Sequence, residues 1–425
     1  MILDFGPPPA RERYVPNDIG PSPETWLAPR LEQISTLITN GFVGTATPFY
    51  TDHTGVKYLY GQNVRQNYVD EDGIRYITKS FHDDQSKTRL RTGDLLTVQS
   101  GHIGVTAVVP PSLDGANCHA LIVTRLRKQY ANPDFVSQYL NSEIGKARLR
   151  GLEVGSTILH INTKDLKKFR IPLPALAEQE RIVELLKTWD RAIDTVEALI
   201  ANARAQKQAL MQQLLPQGTT PPKKRLPGFS GEWREIRLGA AFSERVERGD
   251  DQLPLLSVTQ ANGVIPQGEA GRRNISSDDQ SNYKTVRAGD IAYNTMRMWQ
   301  GASALSKLTG KVSPAYTIVT PRKGHDALFY AYLFKQPKMI HVFERHSQGL
   351  VSDTWNLKYP HLAKIRICVP DIEEQRAIAA AFASLDDSTR AYETQHTALR
   401  QEKAALMQQL LTGKRRVKLP ESEVV

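Results

Sequence analysis

Cysteine is nearly absent: Cys118 and Cys368 are the only two, which excludes a disulfide framework and any four-cysteine zinc site. A reducing, cytoplasmic setting is expected. No run of eighteen apolar residues occurs, as a membrane-spanning helix would need. The first 22 residues carry Pro7-Pro8-Pro9 and several charges but no apolar core of signal-peptide length, so neither membrane insertion nor secretion is expected. Acidic residues are in the minority, 45 Asp and Glu against 55 Lys and Arg, giving a net charge of +10 and a sequence pI near 9.4. That balance suits a surface facing phosphates, although a mildly basic protein without a polyanionic partner has the same composition.

Catalytic signatures are missing as well. Gly310-Lys311 is followed by Val312, and Leu305 stands five positions before Gly310, so there is no nucleotide-binding phosphate loop. Pro133-Asp134 and Glu143 resemble the acids of a metal-dependent nuclease, but Gly145 stands where a Lys is required. His341 and His346 are five apart, not the four that place two metal ligands on one helical face. Asn132-Pro133-Asp134-Phe135 departs at its third residue from the segment amino-methyltransferases use, and reads as a helix start.

What the chain does contain is itself, twice. Ala-Leu-Met-Gln-Gln-Leu-Leu occurs at Ala209 to Leu215 and again at Ala405 to Leu411, an offset of 405 − 209 = 196. At that offset Pro174, Glu178-Gln179, Ile182, Asp190 and Lys207 match Pro370, Glu374-Gln375, Ile378, Asp386 and Lys403, and Arg91, Gly93 and Asp94 match Arg287, Gly289 and Asp290. Trp26 and Leu31 resemble Trp233 and Leu238 at an offset of 207, so the ends of the halves agree while the middles differ. A period this long marks a duplicated domain, since solenoids repeat every 20 to 50 residues or so. Two similar surfaces suit a partner with approximate dyad symmetry, such as duplex DNA.

From Ile182 the apolar residues recur every seven positions, through Trp189, Val196, Ala203 and Leu210, with Leu186, Ile193, Ile200 and Leu214 four after members of that series. The second copy gives Ile378, Leu385, Tyr392, Leu399 and Leu406, with Phe382 and Leu410, although Thr389, His396 and Lys403 interrupt it. This is a coiled-coil seam. Two long helices within 174–215 and 370–412, the first from about Leu176 to Leu214 and each running roughly 55 to 60 Å at 1.5 Å per residue, most simply bury their stripes on each other as an antiparallel pair. Packing of each helix on its own globular domain is the alternative.

The globular parts read as mixed α and β. Strands are expected at Asp94–Val98, Val105–Val109 and His119–Thr124, and at Leu255–Val258, Asp290–Asn294 and Ala315–Val319, with aromatic helices at Phe135–Leu140 and Leu328–Phe334. The layout is therefore a first globular domain over 1–173, a helix over 174–215, a linker over 216–232, a second globular domain over 233–369, a helix over 370–412 and a tail over 413–425. The fold class is α/β (α+β), two globular domains separated by an antiparallel pair of long coiled-coil helices with pseudo-two-fold symmetry.

Pro172-Leu173-Pro174-Ala175-Leu176-Ala177-Glu178-Gln179 with Ile182, the matching run Pro370 to Gln375 with Ile378, and the twin helix ends resemble the specificity subunit of type I restriction-modification systems. Leu226-Pro227-Gly228-Phe229 leading to Trp233, Ser100 to Gly104, Gly155-Ser156-Thr157, Asn294 to Gly301 and Val312 to Tyr316 are similar to recurring segments of that family. The Pro-rich lead before Trp26 departs from the pattern. The resemblance implies a non-catalytic subunit that reads a bipartite, asymmetric target in double-stranded DNA. It also implies binding to two methyltransferase subunits and to restriction subunits, with S-adenosylmethionine, ATP and Mg held by those partners and none by this chain. A coiled-coil scaffold that joins protein partners without reading DNA is the alternative; a nuclease is the third.

Base reading needs forked donors and amides, and affinity needs Lys and Arg on phosphates. In the first half the candidates are Gln62, Asn63, Arg65, Ser100, His102, Thr157 and His160; in the second, Asn294, Arg297, Trp299, Gln300, Ser352 and Asn356. Arg125, Arg127, Lys128, Lys146, Arg148 and Arg150 form a denser basic set that either tracks phosphates or is a solvated face. No metal site is expected.

Overall fold

In the computed structural model, residues 14–15, 22–152, 160–248, 252–259, 263–269, 280–350 and 354–419 are described. Two of the candidate readers, Thr157 and Ser352, and most of the Pro-rich lead lie outside them. The chain divides into two compact units: the first runs to Thr195 and resumes at Gln395, and the second is Val196–Thr394. Each long helix is thus shared between units, whereas the sequence layout treated the helices as separate pieces.

The first unit is built on an antiparallel sheet of β1 (Ser35–Asn40), β2 (Leu95–Val98), β3 (Thr106–Val108) and β4 (Leu121–Leu126), in the order β1-β4-β2-β3. Alternation along β2 and β4 sends Leu95 and Ile122 into one core and Leu96, Val98, Leu121 and Val123 into another. Covered on both faces, β2 is buried at every position, Thr97 included. Two helices follow. Asn132 caps α1 (Pro133–Asn141) by accepting from the amides of Asp134 and Phe135, and Ser142 caps α2 (Glu143–Arg150) by accepting from Gly145.

The second unit repeats the plan with β5 (Phe242–Glu244), β6 (Ile291–Asn294), β7 (Ser303–Leu305) and β8 (Tyr316–Pro321), in the order β5-β8-β6-β7. Its helices are α4 (Ala327–Leu333) and α5 (Pro337–His346). The expected strand at Leu255–Val258 does not join this sheet: Leu256–Thr259 forms a hairpin with Gly263–Pro266. The additions differ between units, since the first carries a small sheet of Tyr50–Thr51, Val56–Leu59, Arg75–Ile77 and Asn117–Cys118.

Several matched residues prove to be shared joints. Asp94 accepts from the Arg91 amide and takes the Arg125 guanidinium through two hydrogen bonds of 2.8 and 2.7 Å; Asp290 accepts from the Arg287 amide and takes Arg245 at 2.7 and 3.1 Å. Gly93 and Gly289 have φ of +90° and +94° in the same turn, a backbone state that favours glycine. Each unit also opens alike. The Leu31 amide donates to the Phe169 carbonyl and the Leu238 amide to the Ile365 carbonyl, both at 2.8 Å.

The long helices are α3 (Leu176–Leu214) and α6 (Ile372–Leu410), each of 39 residues and offset by 372 − 176 = 196. In the first unit Asp190 of α3 pairs with Lys403 of α6; in the second Lys207 pairs with Asp386 at 2.5 Å, which is the same pair with the helices exchanged. These registers make the packed halves antiparallel in each unit. The seam is not uniform. Ile182, Leu186 and Val196 and, in the second copy, Ile378, Phe382, Leu406 and Leu410 are buried, while Trp189, Leu210, Leu385, Tyr392 and Leu399 are half-buried. Two helices cover only one side of each other, so burial is completed where the globular cores add their own side chains, as Phe135 and Leu140 do beside Ile182.

The matched Glu-Gln pairs tie helix to globular part. Gln179 accepts from the Asn132 amide at 2.8 Å and donates to the carbonyls of Pro174 and Tyr130; Gln375 accepts from the Asp326 amide at 2.9 Å and donates to Pro370. Buried Glu374 receives Arg225 from the 216–232 linker, and buried Glu178 receives Arg416 from the tail, at 2.6 and 2.8 Å. The tail therefore does for the first unit what the linker does for the second. Glu178 is 2% exposed, so removing its partner strands a buried charge. Arg416→Ala is expected to destabilise the first unit by roughly 3 kcal/mol, read as a fall in the denaturant midpoint, and an unchanged midpoint would count against the tail's structural role.

Candidate nucleic-acid interface

In both units the strand after the glycine turn leads into a polar loop at the sheet's end. In the first, residues 99–105 join β2 to β3, with Gly101 and Gly104 at φ +81° and +79°. Ser100 and His102 are exposed there, and exposed His160 comes alongside because Ser100 and His160 form an isolated antiparallel bridge. The Ile161 amide donates to the Gln99 carbonyl at 3.0 Å, and Ile161 is itself fully buried.

The second unit makes the same joint. The Leu357 amide donates to the Thr295 carbonyl at 2.8 Å, and 357 − 161 = 196 and 295 − 99 = 196, the register of the repeat. This brings half-buried Asn356 to the loop of residues 295–302. Asn294 accepts from the Met296 amide, Arg297 and Gln300 are exposed, and Gly301 turns the chain at φ +77°. Trp299 is not core: it is half-buried, its indole donates to the Met296 carbonyl at 2.9 Å, and its ring meets Trp355 edge-on at 5.4 Å. Trp355 had not been singled out in the sequence, although it adjoins Asn356. The structure thus brings together Ser100, His102 and His160 in one unit, and Asn294, Arg297, Trp299, Gln300 and Asn356 in the other.

The remaining candidates divide. Gln62 is exposed, and Arg65 is exposed with an ion pair to Asp70 at 3.3 Å. Asn63 is 1% exposed, with its amide donating to the carbonyls of Asp70 and Asp72 and its oxygen accepting from the Tyr60 amide. Its hydrogen-bonding capacity is spent inside the protein, so it leaves the set of readers. Most of the basic set has partners within the protein as well. Arg125 is committed to Asp94, Arg127 donates to the Ser35 carbonyl, Lys146 lies 3.6 Å from Glu143, and Arg148 donates to the Tyr139 hydroxyl and the Arg170 carbonyl beneath the Phe169 ring.

Near the Gln62 loop, the first unit adds Tyr60, whose ring lies 4.9 Å from His119 and 6.0 Å from the Arg75 guanidinium. Burial holds His119 below its usual pKa. Among the described residues no group of three or more His, Cys, Asp or Glu is placed to hold a metal, and no helix is long and apolar enough to cross a membrane.

Residues 23–204 match the family described as the type I restriction modification DNA specificity domain. The MjaX type I restriction enzyme specificity subunit of Methanocaldococcus jannaschii is 25% identical, with 96% of this chain and 97% of that protein covered. Two solved structures share the fold. One, reported under complex assembly and conformational transition of the type I R-M system, is 19% identical with a TM-score of 0.55, covering 92% of this chain and 99% of that one. The other, the S subunit of a type I restriction-modification system from M. genitalium, is 14% identical with a TM-score of 0.55, covering 93% and 97%. The matched domain and the duplicated unit define a DNA target-recognition protein. Over nearly its whole length the chain is similar to the specificity subunits of type I restriction-modification systems, and the segment 23–204 matches their DNA specificity domain.

The division between committed and exposed side chains has a direct consequence. Asn63→Ala leaves buried carbonyls and an amide unpaired and is expected to cost about 2 to 3 kcal/mol of stability, whereas Gln62→Ala should stay within about 0.5 kcal/mol. Denaturant unfolding of the two variants measures both, and equal effects would contradict the assignment.

Proposed function

We infer that this chain is the non-catalytic reader of a bipartite, asymmetric DNA target, each unit contacting one half-site through the loop that follows its glycine turn. The observation that carries this reading is the repeated joint between loop and chain, Ile161 to Gln99 and Leu357 to Thr295, which presents unlike side chains from like scaffolds. Ser100, His102 and His160 offer hydroxyl and imidazole groups in one unit. Asn356, Gln300 and Arg297 offer amides and a guanidinium in the other, and Arg297 has no side-chain partner among the described residues. Forked donors of that kind pair bidentately with purine edges in the major groove. Unequal half-sites follow from unequal loops.

The partners follow from the family. Two methyltransferase subunits would dock on the paired helices and supply S-adenosylmethionine; restriction subunits would supply ATP and Mg. One of the similar structures is reported for assembly of a type I R-M system, which supports such a complex. A scaffold joining proteins without DNA is disfavoured by the two exposed polar loops and by the net charge of +10.

Mapping methylated adenines genome-wide in cells with and without this gene should reveal one gene-dependent motif of two unlike parts with a fixed gap. No such motif would sink the reading. With the motif in hand, binding by the complex should weaken roughly 10³-fold or more between 50 and 200 mM salt if about six phosphates are neutralised, and Arg297→Ala should cost roughly ten-fold in affinity.

A further inference from the structure

The loop of residues 295–302 is held at three places. At its start the Leu357 amide bonds to the Thr295 carbonyl. In its middle Met298 is fully buried in the core that contains Met339 and Phe343 of α5. At its end the Lys335 ammonium donates to the Gly301 carbonyl at 2.8 Å, and a Cβ at Gly301 would come within 2.9 Å of Ile340. The exposed Arg297 and Gln300 lie between these fixings.

Lys335 is an unusual choice for such a bond. It is half-buried, no carboxylate pairs with it among the salt bridges of the described residues, and burial pushes its ammonium below the ordinary lysine range. A partly desolvated charge without an acid is costly unless a hydrogen bond repays it. In the first unit the residue just before the equivalent helix cap, at an offset of 335 − 141 = 194, does the same work without a charge. Lys335 directly precedes Gln336, the cap of α5, and Asn141 directly precedes Ser142, the cap of α2. Asn141 donates to the Thr106 carbonyl at 2.7 Å and accepts from the Thr106 amide at 3.1 Å. Thr106 corresponds to residue 302 in the 196 register, next to Gly301. Each unit therefore clamps the end of its loop from the same point on its helices, one with an ammonium and one with an amide.

We propose that Lys335 is a positioning residue that fixes the reading loop of the second unit onto its half-site, and that it acts on that half-site alone because Asn141 serves the first unit independently. The inference rests on the DNA reading given above. Hydrogen bonds from charged donors are worth enough that losing this one should weaken binding roughly ten-fold, through loss of loop geometry, not loss of a DNA contact.

The test uses the full chain assembled with its methyltransferase partners, on a duplex carrying the two-part motif found by methylation mapping, with protection from cleavage read base by base. Lys335→Met should lose protection over one half-site and keep it over the other, the retained half showing that the protein is folded. Lys335→Gln, which keeps a donor, should restore most of the lost protection. Gly301→Ala, which disturbs the other side of the same bond, should lose the same half-site as Lys335→Met. Protection of both halves by Lys335→Met, equal loss of both, or loss of opposite halves by the two variants overturns the proposal while leaving the DNA reading intact. Absence of protection by the unaltered complex overturns the DNA reading itself and this inference with it.

Discussion

A buried glutamine at the first turn of each long helix is the constraint on which the rest depends. Gln179 and Gln375 are 0% and 1% exposed, so every hydrogen bond their amides fail to make is lost outright, with no water to replace it. Each is satisfied by backbone from two directions: the prolyl carbonyl just upstream of its own helix, and the cap residue of the first helix packed under the sheet. The amide can meet both only when helix and globular part hold one angle. A rod attached in this way is a rigid extension of the reading unit, and a swivel at that point would leave a buried amide unpaired. The neighbouring glutamates extend the joint to a third strand of chain, since Glu178 and Glu374 each receive an arginine from the segment that follows a long helix.

The arginines also explain why the chain has a tail. In the second unit the segment after α3 is the linker, and Arg225 reaches Glu374; in the first it is the end of α6, and Arg416 reaches Glu178 while Val417 enters the core. Both units therefore need chain from beyond a long helix to satisfy a buried carboxylate. The pairing of Asp190 with Lys403 and of Lys207 with Asp386 follows the same exchange. A duplicated sequence yields matched units here because every half-helix finds, on the other long helix, the partner that its own copy of the repeat provides.

Much of this was legible in the residues. The helix bounds, the offset and the central strands follow from heptads, shared motifs and short apolar runs, which are local signals. The edge strands β1 and β5 were not read, because Ser35–Asn40 mixes polar and apolar residues on a half-exposed edge and Phe242–Glu244 spans three positions. Asn63 looked like a reader, and Arg125 like a phosphate contact or a solvated residue, because sequence does not distinguish a polar group facing water from one facing a carbonyl or a buried aspartate. Lys335 gave no signal at all: a lysine between two helices reads as a solvated loop residue, and only the approach of the Gly301 carbonyl reveals its use.

Apart from the buried Met298 side chain, the joints that hold the two loops are made by main chain or from outside them, and this bears on how one scaffold reads unlike half-sites. The bonds from Ile161 to Gln99 and from Leu357 to Thr295 join amide to carbonyl, and are indifferent to which side chains the loops carry. The glycines supply the turns, and the residues that anchor the incoming segments, Ile161 and Leu357, are fully buried. Exposed positions such as Ser100, His102 and Arg297 therefore carry less structural duty in their side chains than Asn63 does. Where stability and recognition are carried by different atoms, substitution at the exposed positions changes what is read at little cost in folding, and the two halves can diverge in their loops while keeping every residue that ties them to the helices.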